Sequence, residues 1–120
     1  MDRRIQVVIS ALESRIAHQW NEKELAQLVN LSTSRLRHLF KTEIGLTAAQ
    51  YLKSLRMQKA ETLLRTTFLS IKEIVSQIGM TSGSHFGREF KKLHGVTPKC
   101  YRTSILRKSA DSHSKRNIAS

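Results

Sequence analysis

One pattern of residues occurs twice in this 120-residue chain, and the repeat limits the possible folds more than any other feature of the sequence. Six pairs of matching residues lie 50 positions apart: Leu36/Phe86, Phe40/Phe90, Lys41/Lys91, Gly45/Gly95, Thr47/Thr97 and Tyr51/Tyr101. Four further pairs lie 49 positions apart: Glu24/Glu73, Leu25/Ile74, Val29/Ile78 and Leu31/Met80. Matching at so many fixed positions indicates two copies of one supersecondary unit, the second with one additional residue in its turn.

Each copy has the pattern of two short helices joined by a tight turn. In the first copy, Asn21 and Glu24 have the spacing of a capping box, Ser32 or Thr33 caps the next helix, and Gly45 ends it. The second copy repeats this order, with a capping box at 70–73, a turn at 79–82 and a helix that stops near 95. Both copies therefore have the outline of a helix-turn-helix.

Further helices flank and join the two copies. The apolar spacing from Asp2 to Gln19 predicts an amphipathic helix before the first copy, and 47–66 predicts one long helix between the copies. Thr97 and Pro98 are an N-cap and a first helical residue for a last short helix. We therefore predict an all-α chain with a first helix-turn-helix unit at 1–50, a shared linker helix at 47–66 and a second unit at 67–104. Residues 105–120 form a basic polar tail that we expect to be disordered.

Charge and composition narrow the function. The chain has 21 Lys and Arg against 9 Asp and Glu, a net charge of +12 and a pI of about 10.6, which favours nucleic acids or anionic membranes as partners. A single cysteine, Cys100, cannot form an internal disulfide and predicts a cytoplasmic protein. No apolar run approaches the roughly 20 residues that cross a bilayer, so no membrane partner is expected. The spacing of the histidines, cysteine and carboxylates indicates no metal site and no cofactor, and we expect no enzyme.

Two exposed helix faces are suited to DNA. If the third predicted helix buries Leu36, Leu39 and Phe40, a step of about 100° per residue places Ser34, His38 and Lys41 on the opposite face, with Arg35 and Arg37 at its flanks. The matching helix is predicted to bury Phe86, Phe90 and Leu93. Its exposed face has Ser84, Arg88 and Lys91, with Lys92 and a partly buried His85 nearer the edges. Arg can pair with guanine through two hydrogen bonds and Ser can pair with several base edges, whereas lysines near a helix end are suited to phosphates.

The chain resembles the DNA-binding domain of the AraC/XylS family of bacterial transcription regulators, from about Asn21 to Arg102. The residues that carry the resemblance in the second copy are Ser70-Ile71, Glu73-Ile74, Gly79-Met80, Ser84-His85-Phe86, Arg88, Phe90-Lys91-Lys92, Gly95, Thr97-Pro98 and Tyr101-Arg102. Tyr51-Leu52, Arg56-Met57, Ala60 and Leu63-Leu64 resemble the family's linker helix. The resemblance implies seven helices in a double helix-turn-helix fold, in which two homeodomain-like three-helix units are joined by the linker helix.

The resemblance also implies a site and a mode of action. Base-reading positions fall on Ser34, Arg37, His38, Gly83, Ser84 and Arg88, of which Gly83 has no side chain to read with. We predict contacts to the DNA backbone from Arg35, Lys41, Arg56, Lys91, Lys92 and Arg102. The implied function is a sequence-specific regulator, an activator that contacts RNA polymerase and binds double-stranded DNA as a monomer. About twenty residues precede the first helix-turn-helix pattern at Asn21, too few for an effector domain, so we expect a stand-alone regulator or a fragment.

Two departures keep other functions open. Gly83 and Gly87 both lie in the second recognition helix, where glycine weakens a helix and removes contacts, so we expect the first unit to read more of the sequence. If these glycines abolish readout, the chain is a basic, sequence-tolerant DNA-binding protein. A helical protein-interaction module is the other alternative, and an exposed apolar patch would favour it.

Overall fold

The computed structural model describes residues 1–107, which form seven helices and contain no strand. The first six helices are α1 (Arg3–Ser14), α2 (Glu22–Leu28), α3 (Thr33–Ile44), α4 (Ala48–Thr66), α5 (Ile71–Gln77) and α6 (Gly83–His94). A seventh, α7, covers 98–107. The prediction of an all-α fold with seven helices is confirmed, and the chain divides into two compact units at Lys59/Ala60.

The first unit has a core made by one face of each of its helices. The buried residues of this core are Ile5, Val8 and Leu12 of α1, Leu25 and Ala26 of α2, Leu36 and Phe40 of α3, and Leu52 of α4. Trp20 is partly buried against the core, and its indole Nε1–H donates a hydrogen bond to the Arg15 carbonyl oxygen at 2.9 Å. Packing on the core thus fixes how α3 stands on α1 and α2.

The second unit buries the matching positions. Its buried apolar residues are Ala60 and Leu64 of α4, Ile74, Val75 and Ile78 in and after α5, and Phe86 and Phe90 of α6. The phenol of Tyr101 packs edge-on against Phe90, with ring centroids 5.3 Å apart, and its hydroxyl donates to Glu61 at 2.7 Å. In the first unit, the hydroxyl of Tyr51 similarly donates to Glu13 of α1 at 3.4 Å. The C-terminal part of α4 therefore has the same role in the second unit that α1 has in the first, since each contributes to the core and accepts the tyrosine hydrogen bond.

The helix boundaries follow the local signals in the sequence. Ser32 caps α3 by accepting from the Arg35 backbone N–H, and the reciprocal capping box of α5 is complete between Ser70 and Glu73. Gly45 and Gly95 end α3 and α6 in the left-handed conformation, with φ of 83° and 77°. The repeat extends to the turns, because Asn30 and Gly79, 49 positions apart, both have positive φ. Asparagine and glycine are the residues that tolerate this conformation best.

Several expectations were wrong in detail. α1 ends at Ser14 rather than near Gln19. Leu93 is 63% exposed and His85 is exposed, although the wheel of α6 predicted a buried and a partly buried side chain. The last helix continues to residue 107, three residues into the segment 105–120 that we predicted as a disordered tail, and the remainder of that segment lies outside the described residues.

Candidate nucleic-acid interface

Helix α3 presents the residues that were predicted to face DNA. Leu36 and Phe40 anchor the helix in the core, so Ser34, His38 and Lys41 stand on its exposed side. Arg35 and Arg37 are also exposed. All five positions predicted on this helix therefore lie on its surface.

A shallow depression runs along this surface and includes a residue that the sequence did not indicate. It is lined by Arg4, Leu31, Ser34, Arg35, His38 and Leu39. Arg4 comes from the first turn of α1, and its guanidinium pairs with Asp2 at 3.0 Å, which lowers the pKa of that carboxyl group. Since 30 positions separate Arg4 from Ser34, only packing of α1 beside α3 brings the two together. The basic pair Arg3-Arg4 in the sequence was the available signal.

Arg37 is held by an acidic residue of the preceding helix. Its Nη2 lies 2.6 Å from Glu22 Oε2, and its Nε lies 3.4 Å from Glu22 Oε1. The hydrogen bond from Arg37 holds the pKa of the Glu22 carboxyl below its usual value, and the carboxylate raises the pKa of Arg37. Both side chains remain about half exposed, at 59% for Arg37 and 49% for Glu22, so the pair is accessible from solvent.

Helix α6 presents a comparable but sparser surface. Ser84, Arg88, Lys91 and Lys92 are exposed, and a depression beside them is lined by His85, Arg88, Glu89, Lys91 and Lys92. Gly83 and Gly87 leave gaps on this helix, because a Cβ at either position would meet no atom within 4 Å. The second unit therefore offers fewer side chains for reading bases than the first.

Two predicted backbone-binding arginines instead serve the interior of their units. Arg56 is partly buried and donates from Nε to the Ile16 carbonyl and from Nη2 to the His18 carbonyl, each at 2.9 Å, and burial lowers the pKa of Arg56. These contacts fix the segment that follows α1. A guanidinium that is partly buried and bonded to carbonyls in this way is badly placed to reach a phosphate, so the structure does not support the prediction for Arg56.

Arg102 is tied even more extensively. Its guanidinium donates to the Leu69 carbonyl at 2.6 Å and the Leu64 carbonyl at 3.1 Å, with longer contacts to those of Thr67 at 3.3 Å and Leu63 at 3.4 Å. The last carbonyls of a helix have no partner within the helix, and a cation there also interacts favourably with the helix dipole. Arg102 therefore caps the C-terminal end of α4, and the structure does not support its prediction as a phosphate contact.

Among residues 1–107, no three His, Cys, Asp or Glu side chains are grouped so that they could hold a metal ion. No helix within the same range is both long and apolar enough to cross a membrane.

Each unit contains two short helices joined by a tight turn, and the second of these helices is exposed and basic. This arrangement defines the class of helix-turn-helix DNA-binding domains. A family model described as "Helix-turn-helix domain" matches residues 25–104. The chain belongs to this family, in its AraC-type branch, so the resemblance seen in the sequence is confirmed. The family is one of transcription-regulator DNA-binding domains and is not a class of enzymes.

Individual relatives agree with this assignment. The chain is 31% identical over 101 residues to the HTH-type transcriptional regulator MtrA of Neisseria gonorrhoeae, covering 84% of this chain and 34% of MtrA. It is 31% identical over 105 residues to the HTH-type transcriptional activator RhaR of Mannheimia succiniciproducens, covering 88% of this chain and 38% of RhaR. The chain thus spans just over a third of the length of these relatives.

Solved structures share the fold. A transcriptional regulator of Chromobacterium violaceum, described as containing an AraC-type DNA-binding domain, matches with a TM-score of 0.77 and 28% identity, over 85% of this chain and 91% of that one. The DNA-binding domain of the transcriptional factor AdpA matches with a TM-score of 0.84 over 89% of this chain and 96% of that one. At 21% identity, the AdpA match is evidence for the fold alone.

Proposed function

We propose that this chain is a sequence-specific, double-stranded DNA-binding transcription regulator that inserts α3 and α6 into adjacent segments of the major groove. The observation that carries the proposal is the exposed face of α3, where Ser34, Arg37 and His38 project from the second helix of a helix-turn-helix. That element is the one that enters the major groove in proteins of this class. The family membership and the basic composition support the same function.

We assign base reading and backbone binding to different side chains. Ser34, Arg37, His38, Ser84 and Arg88 read base edges, because their side chains are exposed and can donate or accept hydrogen bonds there. The residues that contact phosphates are Arg35, Lys41, Lys91 and Lys92, to which we add Arg4 because it borders the depression on α3. Arg56 and Arg102 are left out of this set because their guanidinium groups hold backbone carbonyls.

The biological output is also part of the proposal. We infer that the protein activates transcription by contacting RNA polymerase in the bacterial cytoplasm. It binds DNA as a monomer, on an asymmetric site of roughly 20 base pairs. The name of RhaR, a transcriptional activator, and the bacterial origin of the relatives support this view. No cofactor is required by such a mechanism.

Selection of binding sites from a random duplex library at about 150 mM salt tests the proposal. We expect two short motifs about 10 base pairs apart, with the selected site bound roughly a thousandfold more tightly than a scrambled one. A single motif would mean that α6 only clamps the backbone. The absence of any motif, with affinity that collapses as salt rises, would refute sequence-specific binding.

Substitutions separate the two kinds of contact. Arg37→Ala should lose roughly fivefold or more in discrimination at particular base pairs, because a bidentate arginine contact is worth about 1–3 kcal/mol. Lys91→Ala should weaken binding evenly across all sequences. Fluorescence anisotropy with the selected duplex and its single-base variants measures both. Equal losses on every duplex for Arg37→Ala would contradict its role as a reader.

Two observations sustain the alternative functions. The gaps at Gly83 and Gly87 favour a sequence-tolerant DNA-binding protein, and the selection experiment decides that question. Phe68 is 100% exposed in the loop before α5 and is the apolar side chain that a protein contact would cover. A chain that binds protein but no DNA would give no selected motif and no affinity for scrambled duplex at low salt.

A further inference from the structure

Glu22 and Arg37 form an ion pair between α2 and the exposed face of α3, and its geometry leaves one edge of the guanidinium open. The carboxylate accepts from Nη2 at 2.6 Å and from Nε at 3.4 Å, so it occupies the side edge of the group. The end edge, formed by Nη1 and Nη2, carries two further parallel N–H donors. With 59% of the Arg37 side chain exposed, that edge is accessible from outside the protein.

Two parallel donors match one base in the major groove. Guanine presents O6 and N7 as adjacent acceptors, and an arginine that meets both makes the commonest specific contact to DNA. An unrestrained arginine can instead swing to a phosphate, which carries no sequence information. A carboxylate on the side edge opposes that movement, because it repels phosphates and already occupies two of the donors.

We propose that Glu22 is a positioning residue for sequence recognition. It holds Arg37 so that the end edge of the guanidinium meets a guanine in the major-groove segment that α3 enters. The inference rests on the proposed function and deepens it. Glu22 acts through Arg37 and need not touch the DNA itself. The base pair read by Arg37 is then a G·C pair. The preference of the protein for that pair depends on Glu22, which lies on α2 and not on the recognition helix α3.

The repeat indicates that this pair is not required for folding. Positions 49 and 50 further along the chain hold Ile71 in place of Glu22 and Gly87 in place of Arg37. The second copy nevertheless forms the corresponding helices α5 and α6. An ion pair this exposed also contributes little to stability. Its presence in the first copy alone is better explained by recognition than by structure.

The test is Glu22→Gln, which removes the charge while keeping the size of the side chain. Anisotropy titrations would use the selected duplex and three variants in which the G·C pair assigned to Arg37 is replaced. Since an exposed ion pair is worth up to about a fivefold change in an equilibrium constant, we expect discrimination at that pair to fall roughly three- to fivefold. Affinity for scrambled duplex should stay constant or rise slightly, because a negative charge near phosphates has been removed.

Glu43→Gln is the matched control. Glu43 is exposed on the same helix as Arg37, and its contact is a 3.3 Å hydrogen bond from the Asp2 backbone N–H rather than an arginine. Glu43→Gln makes the same change of charge as Glu22→Gln, and we expect it to cause no loss of discrimination between base pairs. Glu22→Gln added to Arg37→Ala should have no further effect on discrimination, because Glu22 acts only through Arg37.

The possible outcomes are distinct. Loss of discrimination for Glu22→Gln but not for Glu43→Gln supports the inference. Equal behaviour of the two variants overturns it, as does tighter binding of the selected duplex by Glu22→Gln with unchanged discrimination, since the carboxylate would then restrain Arg37 rather than aim it. Loss of discrimination at a base pair without guanine also overturns it. A library that yields no motif removes the proposed function and this inference together.

Discussion

Replacing Arg102 with alanine distinguishes a structural arginine from a DNA contact. The side chain donates to the carbonyls of Leu69 at 2.6 Å and Leu64 at 3.1 Å, and more weakly to those of Thr67 and Leu63. A hydrogen bond from a charged donor contributes about 1.5–3 kcal/mol. Arg102 is only partly buried, so water replaces some of what is lost. Counting the two short bonds at the lower end of that range gives a loss of about 3 kcal/mol in the free energy of unfolding.

Urea and thermal unfolding followed by far-ultraviolet circular dichroism measure this loss. For a unit of about 60 residues, 1 kcal/mol corresponds to roughly 4–8 °C, so a loss of about 3 kcal/mol should lower the Tm of the second unit by about 12–24 °C. Trp20 is the only tryptophan and lies in the first unit, so its fluorescence reports the stability there separately. Arg102→Lys should recover part of the loss, because one ammonium group can reach only some of the carbonyls.

One result of the Arg102→Ala experiment would refute the capping role of Arg102. If the free energy of unfolding changes by less than about 0.5 kcal/mol, as for an ordinary surface substitution, the capping role is refuted. A simultaneous loss of affinity that is equal for all DNA sequences would restore the prediction made from the sequence, in which Arg102 contacts a phosphate.

Two further predictions concern the second unit. Gly87→Ala should raise the free energy of unfolding by about 0.5–1 kcal/mol in urea titrations, because the position is helical and an added Cβ meets no atom within 4 Å; a loss of stability would mean that the site is more crowded than it looks. The pKa of Glu61 lies below its ordinary value of 4.5, chiefly because the Tyr101 hydroxyl donates to it and then because of Arg65. Its contribution to stability is therefore complete above the unfolded pKa and is lost as the pH falls through the lowered folded pKa. Tyr101→Phe should therefore reduce the difference between the free energies of unfolding that urea titrations give at about pH 3 and at pH 7. An unchanged difference would contradict the assignment of the lowered pKa to the Tyr101 hydroxyl.

The sequence was sufficient where hydrogen bonds and apolar spacing act locally. The caps at Ser32 and Ser70 and the stops at Gly45 and Gly95 each depend on a residue within one turn of the chain, and each lies where it was predicted. Periodicity identified the exposed face of α3 because the buried positions of that helix are large and regularly spaced. Whether the exposed side chains contact DNA stays a prediction.

Contacts between helices were beyond the reach of the sequence. Arg37 and Arg56 both looked like free surface cations, yet one pairs with Glu22 across 15 positions and the other holds carbonyls about 40 positions away. A helical wheel gives the direction of a side chain and not what stands in front of it. The same limit explains Leu93, which the wheel placed on the buried face of α6 and which is 63% exposed near the end of that helix.

The two arginines that hold backbone carbonyls change what the charge of this chain means. DNA binding releases the cations condensed on each phosphate that a protein neutralises, and the number released measures the cations that actually reach the duplex. Arg56 and Arg102 contribute to the formal charge of +12, but their donors are turned inward. Arg4, Arg37 and Arg65 each stand beside a carboxylate that cancels part of their field. Counterion release from this domain is therefore governed by the cations that face outward without a carboxylate beside them, and the formal charge overstates it.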